Sequence, residues 1–199
     1  SDMDQPLGFA VGNALEVKEA IDTLQGKGPA DFLELCMTLG SYMLIAGEKA
    51  ENEKEARDKL TESVYSGKAL DKLAQLIEAQ GGDQTSVYHP ELLPTAEYQE
   101  DIISSQEGYI SHITCIEIGM CSMLLGGGRE TKESAIDLSV GLILRKKVGD
   151  FVKKGETLAV LHGNDREKMT QARQRFLQAY SFSQNIVEKS PLIKGVITP

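Results

Sequence analysis

The sequence has no tryptophan in 199 residues, so any core has to be built from aliphatic side chains, and an apolar content of 41% is sufficient for one. Cysteine is scarce. Cys36, Cys115 and Cys121 are odd in number, lie in apolar surroundings and lack metal-ligand spacing, which excludes a disulfide framework and reads as reduced, buried thiols. There is no basic block: the formal net charge is −9. Without clustered Lys and Arg the chain is a poor nucleic-acid binder. No apolar run approaches membrane-spanning length and no segment has the signal-peptide pattern, so the expected setting is cytoplasmic, with no membrane partner. P-loop, dinucleotide fingerprint and Ser/His/Asp order are all missing. His89, His112 and His162 are scattered and read as structural.

What is present is unevenly distributed. Residues 1–87 carry 8 Lys/Arg against 16 Asp/Glu, whereas residues 88–199 carry 13 against 14. That shift divides the chain into an expected helical part, 1–87, and a second domain, 88–199. In the first part, Ala14, Val17, Ile21 and Leu24 predict a helix from Asn13. Pro29 opens a second helix that is apolar on most sides and should be buried. Glu51–Tyr65 predicts a charged helix, and a fourth runs from Leu70 to Gly81-Gly82. A linker with Pro90 and Pro94 follows.

Beyond it, strands are predicted at 96–103 and 108–113. A helix capped by Thr114 should face inward through Ile116, Met120 and Met123. Gly141–Leu144, Phe151-Val152 and Thr157–Leu161 read as three short strands with turns at Gly149 and Gly155, where φ should be positive. A long helix is expected over 165–186 with Phe176, Leu177 and Tyr180 on one side, then a closing strand over 192–198. The fold class is α+β.

Two local patterns suggest chemistry. Gly-Asp-x-Val-x-x-Gly-x-x-Leu-Ala over 149–159 resembles the strand pair of biotinyl and lipoyl carrier domains, but His162-Gly163-Asn164-Asp165 follows and the acylated lysine is missing. Gly126-Gly127-Gly128-Arg129 could cradle a phosphate through backbone N–H groups, or simply let the chain turn after a helix, and the turn is the favoured reading. On these residues alone the chain carries no complete active site.

Longer stretches carry a more specific signal. Asp2–Gly8 followed by Ala10–Ala20, Ala79-Gln80-Gly81-Gly82-Asp83, Met123–Lys132, Ile136–Gly141 and Lys146-Lys147-Val148-Gly149-Asp150 resemble, in order, segments of the pyrimidine-nucleoside phosphorylases. The similarity is greatest to the bacterial enzymes that act on both uridine and thymidine, with thymidine phosphorylase a near relative.

The resemblance implies a small helical domain, a larger α/β domain and an active site in the cleft between them. It also implies phosphorolysis of a nucleoside by phosphate to free base and a pentose 1-phosphate. The family's Lys-His-Ser-Thr-Gly-Gly phosphate loop and its pyrimidine-gripping Arg, Ser and Lys are not in this sequence. The chain therefore resembles the C-terminal half only: the last helices of the α/β domain, then a C-terminal hammerhead or barrel-sandwich-like domain. It is expected to contain no catalytic or substrate-binding residue, to be inactive alone, and to come from a homodimeric parent. The resemblance further implies a potassium site to which Leu7 and Ala10 contribute backbone carbonyls and Glu19 its carboxylate, the remaining ligands coming from the absent phosphate loop. The alternatives are a thymidine phosphorylase of narrower specificity and a non-catalytic structural or interaction module.

Overall fold

The computed structural model describes residues 1–129 and 131–197. Strand β1 (Ala10–Val11) leads into α1 (Asn13–Leu24), where Gly12 N donates to Glu16 Oε1 at 3.0 Å. Helices α2 (Ala30–Ala46), α3 (Glu53–Tyr65) and α4 (Lys68–Ala79) follow. Side chains cap the start of α3: Asn52 Oδ1 accepts from Glu55 N, and Glu55 Oε2 reaches back to accept from Glu51 N, one residue before the cap. Gly67, at φ 80°, turns the chain between α3 and α4. The expected linker contains a helical turn, α5 (Thr85–Tyr88), and a 3-10 turn at Pro90–Leu92.

Compactness divides the chain inside α1 and after Leu93. One unit is Lys18–Leu93; the other joins Ser1–Val17 to the chain from Pro94 onward. This partition differs from 1–87 and 88–199 because β1 pairs with a strand more than a hundred residues away, a tertiary contact with no local signature.

Within Lys18–Leu93, α2 corrects the expected burial. Its buried residues are Thr38 and Ser41, while Leu39 and Met43 are 57% and 74% exposed. The polar edge is the packed one because Arg57 of α3 forks onto both oxygens of Glu34 and bonds Thr38 Oγ1. Cys36 is exposed on the same helix, so the expectation of three buried thiols holds only for Cys121, with Cys115 half-buried.

In the other unit, β2 (Tyr98–Ile103), β3 (Gly108–Ile113), α6 (Cys115–Ser122), β4 (Gly141–Leu144), β5 (Phe151–Val152), β6 (Thr157–Gly163), α7 (Arg166–Ala179) and β7 (Tyr180–Ser183) follow in turn. Among the described residues they form two antiparallel sheets, ordered β1-β4-β6-β2 and β5-β3-β7. The three-strand module is thus split between sheets. Its core holds Ile102, Ile110, Ile118, Leu142, Leu161 and Phe176, all fully buried. Gly149 and Gly155 sit at φ 85° and 88°, as their turns require.

The structure corrects several expectations in this unit. Helix α6 buries Ile118, Cys121 and Ser122 and leaves Ile116 72% exposed, with Met120 and Met123 half-buried. The helix is apolar on two stripes of the same period, and periodicity could not choose between them. Thr114 makes no side-chain cap bond. The last helix ends at Ala179, not 186, because Tyr180–Ser183 pairs with β3, the Tyr180 ring stacks on Phe176 at 4.6 Å and its hydroxyl donates to Lys146 O. Leu177 is 40% exposed. Residues 192–197 form no strand, and Thr198 lies outside the described residues.

Candidate functional site

Chemistry-bearing residues gather along the N-terminal segment, which lies against the unit built from Pro94 onward. Asp2 N donates to Leu192 O, and Lys194 Nζ approaches the Asp2 and Asp4 carboxylates at 3.2 and 3.7 Å. Burial opposes the Asp2 charge, but the Lys194 bond and the Asp4 amide outweigh it and hold the carboxyl below its ordinary range. Gln5 Oε1 accepts from Val148 N, Lys147 Nζ donates to Pro6 O at 2.9 Å, and Leu144 N donates to Phe9 O at 2.8 Å. Gly8, at φ 66°, makes the bend inside this segment.

Two of the residues expected to hold a cation, Leu7 and Ala10, belong to that segment. Leu7 is 37% exposed and Ala10 is 7% exposed in β1. Since Phe9 is bonded to Leu144, the alternation of an antiparallel ladder puts the Ala10–Ile143 pair in the non-bonded register. The Ala10 carbonyl therefore points away from β4, toward the sheet edge. Glu19 lies in α1, half-buried, with its backbone carbonyl accepting from Thr23 Oγ1. Backbone carbonyls and carboxylates are hard oxygen donors of the kind that hard cations take. No cluster of three or more His, Cys, Asp and Glu fit to hold a metal occurs among the described residues.

The triple-glycine loop is tied down through its carbonyls, as the favoured reading of it as a turn after a helix requires. It closes a π-helical turn, Met123–Gly127, at the C-terminal end of α6, where the helix dipole is negative. Gly126 O accepts from Asp137 N and Gly127 O from Asn13 Nδ2. The loop is latched from behind: Asp137 Oδ1 accepts from Ser139 N and Oγ, its Oδ2 from Asn164 Nδ2, and Asn164 Oδ1 accepts from Glu97 N. Burial works against the Asp137 charge, yet these bonds outweigh it and lower its pKa. Sequence reasoning missed this latch and the Lys147 contact. An Asp two residues before a Ser is an Asx-turn signal that would have found half of it.

His162 is buried to 8% exposure on β6 and lines an open groove of about 540 Å³ with Gln99, Asp101, Ile143, Arg145 and Val160. His112 is exposed on β3, and His89 pairs with Glu91 at 3.1 Å. The tip expected to mark a carrier domain is a strand-to-helix junction: β6 runs to Gly163, and Asp165 caps α7 by accepting from Glu167 N and Lys168 N. No helix of the described residues is long and apolar enough to cross a membrane.

Residues 109–183 match the pyrimidine nucleoside phosphorylase C-terminal domain, and residues 1–70 match a glycosyl transferase family a/b domain. Over 198 residues the chain is 49% identical to a pyrimidine-nucleoside phosphorylase of Geobacillus stearothermophilus, covering 100% of this chain and 46% of that protein. It is 56% identical over 164 residues to the enzyme of that name from Bacillus subtilis, covering 82% of this chain and 38% of the relative. A Staphylococcus aureus relative of the same name is 46% identical over 198 residues, all of this chain and 45% of its own length. The chain thus spans less than half the length of these relatives. With these two domain matches and a likeness running from end to end, the chain belongs to the pyrimidine-nucleoside phosphorylase family and carries that family's C-terminal domain.

Proposed function

We propose that this chain is the scaffold and part of the cation site of an enzyme that phosphorolyses uridine, thymidine and deoxyuridine. The observation that carries this is the 49% identity along the whole chain to a protein named for that activity. Phosphate attacks C1′ of the nucleoside; the glycosidic C–N bond breaks, the base leaves with the bonding pair and is protonated, and a pentose 1-phosphate remains. Holding anion and nucleoside in one cleft supplies proximity, and donors aimed at the leaving base stabilise its developing charge. Those groups belong to the stretch of the relatives that this chain does not span. Leu7 O, Ala10 O and the Glu19 carboxylate supply oxygen ligands to a potassium ion, which when bound would fix the N-terminal segment electrostatically. The parent works as a homodimer in the cytoplasm, in nucleoside salvage.

Chromatographic release of uracil or thymine from nucleoside plus phosphate tests the division of labour. The full-length protein should turn over, and this chain alone should not. Turnover by the isolated chain would overturn the assignment of catalysis to the other part. A full-length protein inert toward every pyrimidine nucleoside would overturn the activity and favour the non-catalytic module. Activity confined to thymidine and deoxyuridine would favour the narrower thymidine enzyme.

A further inference from the structure

The turn that would offer its carbonyls to a metal ion is already gripped by a cation. Lys147 Nζ donates to Pro6 O at 2.9 Å and stands over the Phe9 ring, 5.1 Å from its centroid. The two contacts bracket Leu7 and Gly8. An ammonium that takes a backbone carbonyl and an aromatic face satisfies the same electrostatic demands as a bound monovalent ion.

The ammonium is also preset. Lys147 N donates to Asp150 Oδ2 at 2.8 Å, Asp150 N returns a bond to Lys147 O at 3.0 Å, and Gly149 closes the turn at φ 85°. Val148 N, the next donor along, is taken by Gln5 Oε1 at 3.0 Å. The turn at 147–150 and the segment at 5–9 are therefore bound to each other through the Val148 N–H, which Gln5 accepts, and through the Lys147 ammonium, which meets Pro6 O and the Phe9 ring. The turn fixes the Lys147 backbone from which the side chain reaches Pro6.

We infer that the Lys147 ammonium is an internal stand-in for the cation, holding the Pro6–Phe9 turn when no ion is bound and competing with the ion for that turn. The inference rests on the potassium reading above. Two positive charges served by neighbouring carbonyls of one turn repel, so the ion binds against Lys147 rather than with its help.

The test is thermal unfolding of the full-length protein while potassium chloride replaces choline chloride at constant ionic strength. The variants are Lys147→Met, Lys147→Arg and Glu19→Gln. The wild-type melting temperature should rise with potassium. Lys147→Met should melt below wild type in choline, the gap should close at saturating potassium, and its half-effect concentration should fall at least threefold. Lys147→Arg, which keeps charge and donors, should follow wild type. If Glu19→Gln abolishes the response while Lys147→Met leaves the half-effect concentration unchanged or raises it, the stand-in role is wrong and the potassium site stands. If Glu19→Gln responds as wild type does, the potassium site itself is wrong, and the stand-in role falls with it.

Discussion

Gly141 opens β4 where it lies against the Val11-Gly12 backbone, and replacing it by alanine should unlock the N-terminal segment. Its φ is 152°, and a Cβ there would overlap the Val11 carbonyl oxygen, with Gly12 Cα at 2.9 Å and Leu15 Cδ1 at 3.1 Å. Gly12 faces it in kind: a Cβ on Gly12 would lie 2.5 Å from Val140 O. Two glycines let two backbones meet where side chains could not stand. For Gly141→Ala the left-handed backbone costs about 1–2 kcal/mol. Overlap with backbone, which no rotamer change relieves, costs about 1–3 kcal/mol more. Gly155→Ala is the internal control. Its φ is 88°, but nothing lies within 4 Å of a Cβ, so only the backbone cost of about 1–2 kcal/mol applies. The two variants should differ by about 2 kcal/mol, which is roughly 30-fold in an opening equilibrium. Hydrogen exchange of peptides covering β4 and β6, followed over a urea series, reads that difference. Equal opening in the two variants would refute the close-approach argument and leave φ as the whole reason for Gly141.

Asp137→Asn should loosen the Gly126–Arg129 loop and lower stability by about 1 kcal/mol at neutral pH, since the lost bonds are charge-assisted but partly solvated. The native carboxyl titrates below the unfolded one, so its contribution is complete above the ordinary aspartate value of about 4 and is lost as pH falls through the depressed native pKa. The wild-type advantage should therefore shrink in acid, and a gap independent of pH would refute the charge's role. Alkylation at pH 8, read by peptide mass spectrometry, should label Cys36 first and leave Cys121 unmodified in the folded protein. Burial pushes the Cys121 thiol up to about 12, and its Sγ donates to Ala172 O at 3.4 Å, whereas Cys36 is exposed. Equal labelling of the two would show that α6 and α7 open readily.

Helices α1 to α4 and α6, strands β2 to β6 and the positive-φ turns at Gly149 and Gly155 follow from sequence alone. Caps, glycines and local periodicity act over a few residues, and those signals are written in order along the chain. The family, too, was legible, through runs of residues whose order and chemistry recur in the relatives. Tertiary structure decided the rest. It took Tyr180–Ser183 from a helix and gave it to β3, because a stacked ring and a ladder outweigh the continuation of a helical turn. It turned α2 so that Thr38 and Ser41 are packed and Leu39 is exposed, because Arg57 fixes which face meets α3. It drew Ala10 to Ile143, Asn13 to Gly127 and Lys147 to Pro6. These contacts join positions more than a hundred residues apart, and no window on the sequence holds both ends of any of them.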